Sequence, residues 1–140
     1  MLRQHSEEWV VSTRGRGLRE ITSEVEEVVR RAGMRLGVVT LHVCHTSASL
    51  LIQENADPGV QADLERFFAR LVPDGETLFE HTAEGPDDMP AHVRTALTAV
   101  NLSIPIRDGR MVLGTWQGIY LWEHRHHPHR RRVVAHCQGE

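Results

Sequence analysis

Hydrophobic positions along the chain recur in two rhythms, one of strands and one of helices. Residues 4 to 13 mix polar side chains with Trp9, Val10 and Val11 and predict a first strand, broken by Gly15 and Gly17. From Leu18 the apolar positions Leu18, Ile21, Val25, Val28 and Ala32 recur at three and four, which predicts an amphipathic helix ending at Gly33. Leu36 to Cys44 is rich in β-branched residues and predicts a buried strand. His45-Thr46-Ser47 interrupts it before the apolar run Ala48 to Gln53. Two paired strands, or one strand bent at the interruption, fit this pattern equally.

Asp57-Pro58 has the form of a helix opening, an N-cap acid followed by proline at the first helical position. Val60, Leu64, Phe67, Phe68 and Leu71 then make an apolar face, closed by Pro73-Asp74-Gly75. Asp88 before Met89-Pro90 repeats the opening and predicts a shorter third helix, with Met89, Val93, Leu97 and Val100 as its apolar positions. The last forty residues read as β. Ser103 to Ile106 and Arg110 to Leu113 flank the hairpin signal Asp108-Gly109, Trp116 to Glu123 is a further strand, and Val133 to Gln138 closes the chain. The HRHHPHR run between the last two strands reads as a solvated turn.

Composition narrows the function more than the fold. A chain of 140 residues without repeat or linker predicts one domain, residues 1–140. A net charge of -3 argues against an extended nucleic-acid or anionic-membrane surface. Two cysteines, Cys44 and Cys137, are too few for a disulfide framework, and no run approaches a membrane span, so a cytoplasmic protein is expected. The unusual feature is ten histidines in a chain whose sixteen basic residues are all arginine.

Those histidines concentrate the candidate chemistry. The stretch Phe79 to Val93 sets His81 and His92 around Glu84, Asp87 and Asp88, and delivers them into a helix start. His92 in a first helical turn lies close to unpaired backbone N–H groups, where it is available as a metal ligand or hydrogen-bond partner and where a phosphate is welcome. His81, eleven residues upstream, fits no compact zinc-finger spacing. Of Asp87 and Asp88, one reads as the helix cap and the other as solvated, or either serves the site. His45 with Ser47 invites a base–nucleophile reading, but no nucleophile elbow is present, and a ligand or phosphate contact suits His45, Thr46 and Ser47 better. His42 reads as an ordinary core or surface histidine. Glu54 and Asn55 precede the second helix and can project into a cleft, while Gly114-Thr115-Trp116-Gln117 can support a ring and hold its polar edge.

HTSASL (His45 to Leu50), ENADP (Glu54 to Pro58), EGPDDMPAH (Glu84 to His92), SIPI-x-DG (Ser103 to Gly109), LGTWQGIYL (Leu113 to Leu121) and the terminal QGE together resemble the YjbQ family, which is associated with secondary thiamine-phosphate synthase activity. The resemblance implies an α+β domain, an antiparallel β-sheet with about three helices packed on it, assembling as a homotrimer. It further implies a metal and ligand site of His45, His81 and His92 with acids of the ENAD and GPDD segments nearby. The expectation is a metal-dependent enzyme acting on a phosphorylated small molecule. In it His92, His45 and Asp88 are catalytic, and Thr46, Ser47, Glu54, Asn55, Asp87, Trp116 and Gln117 contact substrate. Three imidazoles favour Zn²⁺ or another transition metal, with Mg²⁺ accompanying the substrate phosphates. The alternative is a non-catalytic homo-oligomeric module that binds metal or phosphate.

Overall fold

A computed structural model describes all 140 residues. In chain order the elements are β1 (Arg3–Ser12), β2 (Gly17–Glu20), α1 (Thr22–Ala32), β3 (Leu36–Val43), β4 (Ala48–Glu54), α2 (Pro58–Leu71), α3 (Asp88–Leu97), β5 (Asn101–Arg107), β6 (Arg110–Met111), β7 (Gln117–Glu123) and β8 (Arg130–Gly139). The α+β expectation, with antiparallel pairing and three helices, holds. The strands are divided between two sheets, ordered β1-β8-β3-β5-β6 and β2-β7-β4. No helix is long and apolar enough to cross a membrane.

Burial follows the two rhythms. β5 and β8 alternate buried and exposed positions, so each turns one face to the core. β7 is buried at six successive positions from Gly118 to Glu123, because it is the middle strand of the smaller sheet and is covered on both sides. Ile119 and Leu121 face the main core, while Tyr120 receives a hydrogen bond from Gln61 and Trp122 packs edge-on against Phe68, both of α2. The main core joins Val25, Val28 and Val29 of α1 to Val39, Leu41, Ile104 and Ala135 of the larger sheet and to Leu50, Ile119 and Leu121 of the smaller.

Several sequence expectations are corrected. Leu18 lies in β2, paired with Trp122, and the first helix starts only at Thr22, since a four-residue strand with one apolar side chain is invisible to periodicity. The strands on either side of His45-Thr46-Ser47 are neither paired to each other nor one bent strand. β3 pairs with β5 and β8 while β4 pairs with β7, so residues 44–47 carry the chain from one sheet to the other. In α2 no residue is fully buried, and Phe67 and Leu71 are about half exposed, so its apolar stripe is only partly covered. In α3 the buried face is Asp88, Ala91, Arg94 and Thr95, and Leu97 points outward.

Two predicted devices hold as read. Asp57 caps α2 by accepting the Gly59 N–H at 2.8 Å, with Pro58 in the first turn. Asp108 and Gly109 both take positive φ, 54° and 77°, and close the β5–β6 hairpin.

Candidate functional site

Three connections meet at one end of the smaller sheet: residues 44–47 ahead of β4, residues 124–129 after β7, and the loop that enters α3. Backbone and side chains lock them together. His124 N–H reaches the Ser47 carbonyl at 3.3 Å, and the Arg131 guanidinium donates to the Ser47 carbonyl at 3.2 Å and to its hydroxyl at 3.0 Å. Arg131 is itself held by Glu123, a buried pair that also takes the Thr13 hydroxyl at 2.7 Å.

The helix start supplies the central cluster. Asp88 opens α3 and His92 follows four residues later, so helical spacing places both on one face. His92 Nε2 lies 3.2 Å from Asp88 Oδ2, and His81 Nε2 reaches the same oxygen at 2.8 Å from the preceding loop. That loop turns at Gly85, whose φ of 105° suits glycine. The other Asp88 oxygen accepts from Arg125 at 2.8 Å. Arg125 also donates to Asp87 at 3.0 Å and to the Glu84 carbonyl at 2.9 Å, and Asp87 takes the His126 N–H at 2.9 Å. Neither aspartate caps the helix through its side chain: Asp87 holds the cap position, but its carboxylate is turned to Arg125.

Electrostatics explains why two adjacent buried acids stay ionised. Burial pushes Asp87 up, and this is outweighed by the Arg125 hydrogen bond, the His126 N–H and the Arg125 charge, which together bring it down to about 2. For Asp88, burial is likewise outweighed by hydrogen bonding, with His81 foremost, and by the charges of His92 and Arg125, which leave it below its ordinary value.

The orientation of His92 decides what the cluster can hold. Its Nδ1 is 2.9 Å from the Thr46 carbonyl oxygen, which only accepts, so Nδ1 carries a proton. Nε2 points at Asp88 Oδ2, which accepts a second ring proton or, without one, faces the Nε2 lone pair as another acceptor. Two acceptors at this distance call for a proton or a metal cation between them. The ligand atoms of His81, Asp88 and His92 all lie within 4.8 Å of one another. Ligands about 2.0–2.1 Å from a tetrahedral zinc stand roughly 3.3 Å apart, so this donor set fits a first-row transition metal with positions left open. A carbonyl behind His92 and an arginine behind Asp88 are the outer contacts such ligands need.

The fold divides the residues singled out in the sequence. His81, Asp88 and His92 form the cluster, with Asp87 behind it and Thr46 orienting His92. His45 lies outside the trio, and the group that stands next to His81 and His92 is Asp88. Its Nε2 accepts the Arg132 N–H at 2.8 Å, and its ring lines an open cleft of about 660 Å³ that runs past His92. Ser47 is buried and held by Arg131. Glu54 and Asn55, with Trp116 and Gln117, sit at the opposite end of β4 and β7. Six residue steps of strand separate Ala48 from Glu54, roughly 20 Å, so one chain does not bring them to the cluster. There Trp116 is exposed and Gln117 accepts the Gly114 N–H at 2.7 Å.

The run read as a solvated turn is corrected at its start. His124 is fully buried, its Nε2 2.8 Å from the Ser49 hydroxyl, and Arg125 is the clamp on Asp87 and Asp88. The signal available was position. These residues directly follow Trp122-Glu123 at the end of a fully buried strand, so they cannot leave the protein at once.

The comparisons with known proteins agree on one family. The model of the UPF0047 protein YjbQ-like family matches residues 6–140. A UPF0047 protein of Synechocystis is 53% identical over 138 residues, covering 99% of this chain and 94% of that protein. The UPF0047 protein YjbQ of Salmonella typhimurium is 45% identical over 131 residues, 93% of this chain and 94% of its own. A crystal structure described as a YbjQ-like protein of unknown function from Sulfolobus solfataricus superposes with a TM-score of 0.91 over 100% of both chains. At 23% identity, that likeness shows the fold.

Proposed function

The chain belongs to the UPF0047 YjbQ-like family, and on that premise we propose that His81, Asp88 and His92 bind a divalent transition metal and that the site is an enzyme's, acting on a phosphorylated small molecule. The observation that carries the reading is the convergence on Asp88: His92, fixed by Thr46 through Nδ1, aims Nε2 at a carboxylate oxygen that His81 Nε2 also faces. Zinc is the first candidate for this donor set, with Mg²⁺ accompanying substrate phosphates. The bound cation supplies Lewis-acid stabilisation of charge that develops on a leaving phosphate oxygen. The chain's own part is positional. Thr46 and Arg125 hold two ligands, and the cleft beside His92 receives the substrate.

The best-named reaction is thiamine-phosphate synthesis, carried by the motif resemblance. A carbon–nitrogen bond forms between the pyrimidine methylene and the thiazole nitrogen, and pyrophosphate leaves with the electron pair of the broken carbon–oxygen bond. Assembly as a homotrimer is part of the same proposal. Purified protein with zinc or Mg²⁺, the pyrimidine diphosphate and the thiazole phosphate should release pyrophosphate, and His92→Ala should not. Equal release by His92→Ala overturns the assignment.

A second reading, a non-catalytic metal- or phosphate-binding module, is favoured by one fact: both Asp88 oxygens are engaged and Asp87 is tied to Arg125, so neither aspartate is free as a general base. It predicts stoichiometric metal and no turnover.

A further inference from the structure

The cleft beside His92 has a feature that the cluster does not explain. It is bounded by the end of β3, the 44–47 connection and α3, and none of its lining residues is acidic or basic in the manner of Asp, Glu, Lys or Arg. His45 lines it, and the tautomer of His45 is fixed by the backbone. The Arg132 N–H can only donate, so Nε2 accepts it at 2.8 Å and the neutral ring carries its proton on Nδ1. Burial, with Arg131 foremost among the neighbouring charges, keeps that ring neutral.

Nδ1–H then faces another donor. Arg131 Nη1 stands 3.4 Å from it, too far and of the wrong polarity for a bond between the two. The remaining Arg131 nitrogens are taken, Nε by Glu123 and Nη2 by Glu123 and Ser47, whereas Nη1 meets only His45 Nδ1. The arginine is itself buried, at 3% exposure. On the α3 wall the Thr95 hydroxyl is buried, unpartnered and part of the cleft lining. Buried donors without acceptors are costly, and His45 and Thr95, on separate elements that line one cleft, mark the place where an acceptor binds.

We propose that His45 Nδ1–H and the Thr95 hydroxyl, with Arg131 Nη1 behind His45, form an oxyanion subsite that holds a phosphate or carboxylate group of the ligand next to the His81–Asp88–His92 cluster. The assignment rests on the reading of the site as one for an anionic small molecule and names the groups that recognise it. Glu123 balances Arg131 within the protein, so the subsite acts through directed donors, with Arg132 adding positive charge nearby.

The test uses the full chain, stripped with chelator, and inorganic phosphate as the probe, followed by ¹⁵N shifts of His45 Nδ1 and Arg131 Nη1. Phosphate should move both signals without any metal. Thr95→Val and His45→Phe should each weaken binding about tenfold and keep zinc affinity, while His81→Ala should lose zinc and keep phosphate. Thr95→Val preserves shape and carries the test where His45→Phe fails to fold. Phosphate binding that needs zinc, or that is unchanged in Thr95→Val, overturns the subsite. Acetate binding in place of phosphate supports the subsite and overturns the phosphorylated-substrate reading, and a wild-type chain that takes phosphate but no zinc overturns the metal reading alone.

Discussion

Replacing Arg125 with methionine removes the cation that holds two buried carboxylates and keeps most of the side chain's apolar length. Asp87 and Asp88 have side-chain exposures of 8% and 3%, and Arg125 bonds both. Its effect can be sized from Asp87, whose pKa falls from 3.8 to about 2. At about 1.4 kcal/mol per unit this shift is worth roughly 2 kcal/mol at neutral pH. The His126 N–H survives the substitution and keeps part of that, while stranding Asp88 adds to the loss. A total cost of about 2–4 kcal/mol is expected, in the range for breaking one side of a buried pair. The sign with pH follows from a depressed carboxylate. Its stabilisation is full above the unfolded-state pKa near 4 and fades as pH falls toward 2. Urea unfolding of chelator-stripped wild type and Arg125→Met should therefore differ by about 2–4 kcal/mol at pH 7, with the Asp87 share reduced to roughly half at pH 3. A difference below about 0.5 kcal/mol at pH 7, or one of equal size at both pH values, refutes the clamp.

Other perturbations test other links. His124, pushed down to about 2 by burial and by the charges of Arg94, Arg16 and Arg131, stays neutral when folded but takes a proton when unfolded. Wild type should lose up to about 1.4 kcal/mol per pH unit below pH ~6.5, and His124→Gln should show a flatter profile in urea unfolding at pH 7, 5.5 and 4.5. Asp57→Ala should cost about 1 kcal/mol in thermal or urea unfolding through loss of the Gly59 contact, with the metal site intact. Gly139→Ala places a Cβ 2.1 Å from the Leu36 carbonyl where β8 meets β3, and should cost at least about 2 kcal/mol or prevent folding, seen by circular dichroism.

Much of this was legible in the chain because it depends on local spacing. Asp88 and His92 share a helix face by their separation of four, and the Asp57-Pro58 and Asp108-Gly109 devices are set by backbone preference. What the pattern left open is set by pairing between distant strands. The 44–47 break reads the same whether β3 and β4 pair with each other or join different sheets, and that choice fixes where His45 goes and leaves Glu54 and Trp116 at the far end. Arg125 and His124 were hidden by a neighbourhood that looks like a solvated basic tract, although burial of β7 up to Glu123 holds its next residues inside. The apolar face of α2 is readable from its spacing, but its partial exposure depends on what packs against it.

In the proposed site a metal is held by His81, Asp88 and His92, with His45 outside the set. Zinc titration of the chelator-stripped full chain, followed calorimetrically and checked by elemental analysis after dialysis, tests it directly. Stoichiometric zinc is expected in wild type and in His45→Ala, and loss of it in Asp88→Asn and in His92→Ala. Zinc retained by His92→Ala and lost in His45→Ala would contradict it.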